Sequence, residues 1–516
     1  MLGTRNRGLD SIFRKSEPRD DISHNHDMND ALSNIANRDR SYIFPAFAFA
    51  LLIILTTLSI SRPLMPYDCW WYHLPFSSYL FDIGHGRASF HMDPMVAARW
   101  LGFPKVWEWV EGLAWAVTGS LYATIIPQLV LCYLYIAYVG RTFGIPLPWV
   151  ICGFFSSPLV VIHFDSTYSD LPSGILVALG FFIFLDLIAS GTEDSDAPLP
   201  WGRAVFAVGS FALAGNIKYQ AVLALWATTA IIVLLCILTS CVARYRVFLF
   251  TALLVANIAA GSTNILNTLL YENPFFPLEI HAFGHPILKG PESADANANY
   301  PAYGYRDIRL PEPINFALSA AELDWTLRGV APWYNIDSET GDAPRHGAPS
   351  RTGGWGALFV LANGCMLVAQ IWRCLRKVEQ DRRQRLYIAG SGLLILATAC
   401  LPRSHELRYW LDIPLIIFPV NLRYLYRSSY RPIVPAVLVV LMTYGIALAV
   451  LSPNSRLFSG QPVSMSALQA QIPPNIVQQL HETGRYCDPG NNQLFRFSEA
   501  VTGTPGLLSR VADDCR

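Results

Sequence analysis

The chain has 516 residues, of which 52% are hydrophobic and only 15% charged, with 38 basic residues matched by 38 acidic ones. Soluble domains usually carry about 25% charged residues, so this composition argues for a bilayer as solvent and against an ordinary soluble enzyme. A formal net charge of zero argues against a nucleic-acid partner, and ten cysteines in so long a chain do not make a disulfide scaffold.

The first 41 residues are polar, carry seven Lys/Arg and show no apolar period. They read as a disordered cytoplasmic tail. The apolar stretch that follows starts too late and runs too long for a secretory signal, so the first span reads as an uncleaved anchor. Apolar runs then predict an all-α polytopic membrane protein with about eleven transmembrane helices, each needing roughly 20 apolar residues. The expected spans are 42–60, 121–140, 147–163, 173–190, 203–217, 220–240, 247–265, 355–373, 386–401, 410–424 and 433–452.

Lys and Arg orient these spans. With the N-terminus inside, the inward segments 1–41, 141–146, 191–203, 241–246, 373–385 and 421–431 hold 20 of the 38 basic residues. Cytoplasmic loops carry such an excess. The run from Arg373 to Arg385, with six basic residues, anchors the topology. An odd number of spans puts the C-terminus in the periplasm. The transmembrane domain then covers 42–452, with outer loops 61–120 and 266–354 and a periplasmic tail 453–516. In the first outer loop, Val106 to Gly119 reads as an interfacial helix, since Trp107, Trp109 and Trp115 suit the membrane boundary. The loop 266–354 is too long for a simple connector. Cys487 and Cys515 both fall outside and are either a disulfide or two free thiols. The outer loops lack an Asn-X-Ser/Thr sequon, which favours a bacterial inner membrane.

Polar residues at the outer membrane edge are the candidates for chemistry. Asp68 lies a few residues after the first span in Tyr67-Asp68-Cys69-Trp70-Trp71-Tyr72-His73-Leu74-Pro75. An acid against an apolar boundary binds its proton more tightly, which suits a general base; the plainer reading is an aromatic belt with a solvated acid. The turn His163-Phe164-Asp165-Ser166-Thr167-Tyr168-Ser169-Asp170-Leu171-Pro172 sets two carboxylates beside the fourth span, where either can also be a helix cap. Lys218-Tyr219 interrupts an apolar stretch, and Arg403, His405, Arg408 and Tyr409 crowd the turn between spans nine and ten. Cations near hydrocarbon are costly and usually have a partner or a function; at an outer edge they suit a lipid phosphate, although snorkelling explains each one singly. Glu279, His281 and His285 form only a weak metal-ligand pattern. Walker, HExxH and dinucleotide motifs are absent.

Taken in order, these segments resemble the GT-C superfamily of membrane glycosyltransferases over roughly residues 42–450. The resemblance is strongest to the bacterial branch related to the protein mannosyltransferase-like and aminoarabinose transferase-like proteins. It rests on Asp68 early in the first outer loop, Asp170-Leu171-Pro172 after span three, Lys218-Tyr219 between spans five and six, and Arg408-Tyr409 at the top of a late span. Asn273-Pro274-Phe275-Phe276-Pro277 and Gly353-Gly354-Trp355-Gly356 resemble the two ends of the large outer loop. Many members have two adjacent acids where this chain has Tyr67-Asp68, which leaves metal-independent and divalent-cation-assisted chemistry both open.

The resemblance implies a GT-C-like fold and transfer of a sugar from a polyprenyl-phosphate carrier to a glycan, lipid or protein acceptor at the periplasmic membrane face. It implies Asp68 as base, Asp165 or Asp170 as orienting acids, and Tyr72, His73, Lys218, Tyr219, Arg403, His405, Arg408 and Tyr409 as substrate-binding residues. The alternatives are a lipid-linked saccharide flippase, a polysaccharide polymerase or ligase using loop arginines such as Arg306, Arg309, Arg328, Arg345 and Arg351, and an inactive relative. A flippase needs polar residues along the span midplanes, and here Asp186 and Asp412 stand near helix ends. A polymerase does not need Asp68.

Overall fold

The computed structural model describes residues 24–61, 69–83, 94–191, 199–239, 242–282, 285–293, 311–323, 354–376, 381–401, 404–428, 431–451, 486–487 and 511–512. Asp68, Arg403, Cys515 and the loop arginines from Arg306 to Arg351 lie outside the described residues.

The fold is helical. The first helix, α1 (His24–Ser61), starts ahead of the expected first span and contains Pro45. A π-helical turn, Cys69–His73, leads into α2 (Leu74–Phe81). Next come α3 (Pro94–Gly102) and α4 (Val106–Thr118), the helix expected from the Trp pattern. A 3-10 turn, Leu121–Ile125, runs into α5 (Ile126–Phe143). The third expected span is broken into α6 (Leu147–Phe154) and α7 (Pro158–Phe164), bent by 95°. Pro158 at the start of α7 explains the break: it has no N–H to continue the ladder and its ring clashes with the preceding turn. The chain continues through α8 (Asp170–Ser190), α9 (Trp201–Ile217), α10 (Tyr219–Leu238), α11 (Ala243–Ala260) and α12 (Ser262–Tyr271).

A small sheet follows, in which β1 (Leu278–Ala282) pairs antiparallel with β2 (His285–Leu288) and parallel with β3 (Glu292–Ser293). The remaining helices are α13 (Glu312–Ala321), α14 (Ala357–Leu375), α15 (Arg382–Ala399), α16 (Asp412–Arg427) and α17 (Val434–Leu451). A 3-10 turn, Leu407–Trp410, precedes α16. Short strands β4 (Tyr486–Cys487) and β5 (Val511–Ala512) pair in parallel.

Seven of these helices are long and apolar enough to cross a membrane, or eight if the bent α6–α7 pair is one span. The other three expected spans are α9, α15 and α16. They are helices of 17, 18 and 16 residues. Helix α15 opens with Arg382, Arg383 and Arg385, and α16 ends with Arg423 and Arg427, so their apolar lengths are short for spanning alone. The long apolar helices make this a membrane-embedded chain.

Helix α8 is the axis of the bundle. It is apolar on every side, as a helix enclosed by others must be, and its membrane window is wholly buried. Helices α5, α9, α10, α15 and α16 all pack on it. Gly174 permits a close backbone approach by α16: a β-carbon there would lie 2.9 Å from the backbone nitrogen of Asp412. The end of the bundle bearing Asp170 is termed the upper end here. Above it, Arg99 of α3 makes a two-pronged ion pair with Glu292 of β3 at 2.9 and 2.5 Å. Gly102 lies so close to Phe276 that any side chain would strike its carbonyl.

Candidate functional site at the upper end of the bundle

Asp170 occupies the first turn of α8, where the exposed N–H groups and the helix dipole favour a negative charge. Its side chain is almost fully buried and forms an ion pair with Lys218 Nζ. Lys218 adopts an extended backbone between α9 and α10, so the break read from the sequence places a cation beside the acid at the top of α8. The same ammonium lies 4.6 Å from the centre of the Tyr409 ring. Arg408, also buried, packs its guanidinium over Tyr409 at 4.9 Å and over Tyr168 at 5.9 Å, and donates to the Tyr409 hydroxyl at 3.1 Å. Such arrangements stabilise a cation where water is scarce.

The turn from His163 to Asp170 is held from below. Gln128 of α5 donates to the carbonyls of His163 at 2.5 Å and Ser166 at 2.6 Å. Thr167 donates to Cys69 Sγ at 2.8 Å, which ties this turn to the π-helical turn immediately following Asp68. Tyr168 then becomes a hub. His163 approaches its ring at 5.9 Å and His73 at 6.1 Å, on top of the Arg408 contact. Both ring nitrogens of His163 are buried without a hydrogen-bond partner among the described residues, and Asp170, Lys218 and Arg408 are the charged groups acting on it.

Asp165 lies in the same turn, five residues before Asp170. Its carboxyl is buried and neither oxygen has a hydrogen-bond partner of good geometry among the described residues. Burial pushes its pKa up to about 8, with a small opposing effect from the Ser59 hydroxyl. It is therefore held as a neutral acid at neutral pH rather than as a carboxylate.

Other predicted residues take separate places. Tyr72 packs on Arg99 and Phe103. The Tyr219 hydroxyl sits between the carbonyls of Gly102 and Phe276, the latter at 2.7 Å, and accepts from Asn267 at 2.6 Å; it ties the upper layer together. His405 turns to Glu312 of α13 at 3.1 Å. Asp68 and Arg403 lie outside the described residues. Among the described residues no three His, Cys, Asp or Glu side chains are grouped to hold a metal ion.

Three contributors were not singled out from the sequence. Glu108 of α4 meets His73 Nδ1 at 2.6 Å, Glu111 lies fully buried one turn on, and Gln128 holds the turn. The signal for the first two is the pairing of acids three residues apart in an otherwise apolar, Trp-rich helix, since such spacing puts both on one face.

The chain matches no protein-family model, no curated protein and no solved structure.

Proposed function

We propose that the protein is a membrane glycosyltransferase that moves a sugar from a polyprenyl-phosphate carrier to an acceptor hydroxyl at the upper face of the bundle, which we assign to the periplasmic side of a bacterial inner membrane. The observation that carries this reading is the convergence of four separate segments on Tyr168 and Tyr409: His73, the 163–170 turn, Lys218 and Arg408. These residues combine a buried arginine and a half-buried lysine with the Asp170 carboxylate. Cations placed there suit an anionic phosphate diester at the edge of a bilayer.

In this mechanism the acceptor oxygen attacks the anomeric carbon and the bond from that carbon to the phosphate oxygen breaks. The electron pair leaves with the phosphate, whose growing charge Lys218 and Arg408 stabilise. The acceptor proton passes to Asp68, the residue before Cys69. Asp170 keeps Lys218 in place and prevents it from turning into lipid. Asp165, held neutral, can donate a hydrogen bond to a sugar oxygen.

The test uses the full-length protein in liposomes with radiolabelled polyprenyl-phosphate sugars and a membrane extract as acceptor. Transfer by the wild type, lost in Asp68→Asn and Arg408→Leu at equal protein level, supports the reading. Full transfer by both variants overturns it.

A further inference from the structure

His73 closes the π-helical turn and is the residue from which α2 starts. Its Nδ1 lies 2.6 Å from Glu108 Oε1, and both side chains are over nine-tenths buried. The ring also packs against Tyr72 at 4.2 Å and Tyr168 at 6.1 Å. Its second nitrogen, Nε2, has no hydrogen-bond partner among the described residues and is not sealed off with the buried unpartnered atoms. An ionised Glu108 can only accept, which puts the hydrogen of the short contact on Nδ1. A neutral imidazole fixed in this way presents a lone pair at Nε2.

Glu108 is supported in turn. Glu111, one turn along α4, is fully buried. Burial first, and the charge of Glu108 second, push its pKa well above the usual carboxylate range, with Trp107 opposing in part. Glu111 thus sits on the same face of α4 as Glu108 and backs the contact with His73. Lys218 and Arg408 already supply the cations around Tyr168 and Tyr409. What they lack is an acceptor for a neutral hydroxyl donor, and Nε2 of His73 is one.

We infer that Glu108 is a positioning residue that fixes the tautomer of His73, so that Nε2 accepts a hydrogen bond from a hydroxyl of the sugar acceptor bound beside Tyr168. This deepens the glycosyltransferase reading and rests on it. It assigns acceptor recognition to the first outer segment and phosphate recognition to Lys218 and Arg408.

Two measurements test it. The first needs no reaction: 15N-histidine-labelled full-length protein in lipid, with His73 assigned by its absence from His73→Gln, studied above the pH at which the ring titrates. A proton on Nδ1 in the wild type and a mixed or inverted tautomer in Glu108→Leu are expected; a wild-type proton on Nε2 overturns the proposal. Should Glu108→Leu not fold, the wild-type measurement decides alone. The second is the liposome transfer assay, with binding of undecaprenyl phosphate measured in parallel. Glu108→Leu is expected to raise the KM for acceptor extract by about three- to tenfold, the usual weight of one neutral hydrogen bond, with undecaprenyl phosphate affinity kept within about twofold and Glu108→Asp recovering part of the loss. Unchanged acceptor KM in an active preparation overturns the proposal and leaves the transferase standing. A wild type that neither transfers sugar nor binds undecaprenyl phosphate overturns the transferase reading, and the tautomer then decides the role of Glu108.

Discussion

Replacing Lys218 with Met is the sharpest perturbation of the site. The Asp170 side chain is 1% exposed and that of Lys218 19%, so the substitution strands a carboxylate beneath an apolar lid. Breaking a buried pair from one side costs about 3–5 kcal/mol, because the remaining charge has lost its partner. The N-terminus of α8 returns part of this, about 0.3–1 kcal/mol, so a loss near 3 kcal/mol is expected. Removing both charges in Lys218→Met/Asp170→Asn leaves no stranded ion and should recover most of that loss. The assay is an SDS unfolding titration of all four members of the cycle in mixed micelles, run beside liposome transfer. The double variant should regain stability yet transfer no sugar, since the phosphate has lost a cation. Equal stability of Lys218→Met and wild type refutes the buried-pair argument. Transfer by the double variant refutes the phosphate role of Lys218.

Asp165 gives a pH signature. Its folded pKa of about 8 lies above the unfolded value, so its contribution is full below about pH 4 and is lost as pH rises through 8, by at most about 6 kcal/mol. Asp165→Asn should flatten that alkaline loss in unfolding titrations from pH 5 to 9, and an unchanged slope counts against the buried neutral acid. Asp381 behaves oppositely. Burial raises its pKa, but hydrogen bonds from Arg423, the Gln384 backbone and Arg427 outweigh this and hold it at about 2. Its contribution is present above about pH 4 and lost toward pH 2. Asp381 caps α15 through the N–H groups of Arg383 and Gln384, so Asp381→Ala should cost about 1–2 kcal/mol at pH 7, mostly as a lost cap and only slightly as screened ion pairs. Tyr219→Phe should cost about 0.5–1.5 kcal/mol, the net weight of a hydrogen bond, because Asn267 still donates to the carbonyls of Gly102 and Phe276. Hydrogen exchange should then speed up around residues 102–106 and 275–278, and uniform protection would place the upper-layer tie elsewhere.

The sequence made the helical, membrane-embedded class legible because apolar length is a property of single segments. All eleven expected spans correspond to helices or, for 147–163, to a broken helix pair. The break at Ser157-Pro158 was not anticipated, although Pro158 announces it; the run reads as continuously apolar and its hydropathy hid the bend. That Lys218 and Asp170 share a face followed from charge patterning, but their ion pair was not read from the sequence. Partners set by tertiary packing were not readable. Nothing in the order of residues says that Gln128, in the middle of an apolar run, reaches the carbonyls of His163 and Ser166. Tyr219 looked like part of a phosphate site because it follows Lys218, but its hydroxyl is turned the other way, toward Gly102 and Phe276.

The two ends of α8 show why neighbours, rather than residue type, separate a candidate site from a structural lock. Asp170 and Asp186 stand about 24 Å apart along the helix, and each pairs with a cation from a neighbouring segment, Lys218 above and Arg203 below. At the lower end Asp186 opposes the helix dipole. It is held there by Arg203 at 2.9 Å and by the buried hydroxyl of Tyr387, so both carboxylate oxygens are occupied by the fold. At the upper end the dipole already favours Asp170. Its cation faces an aromatic ring, the next cation faces two, and a pair of imidazoles borders the same ring. A fold that needed only to neutralise Asp170 could stop at Lys218. The added arginine and histidines gather at the same two rings, which is the physical reason to look for an anion and a hydroxyl there rather than at the lower end.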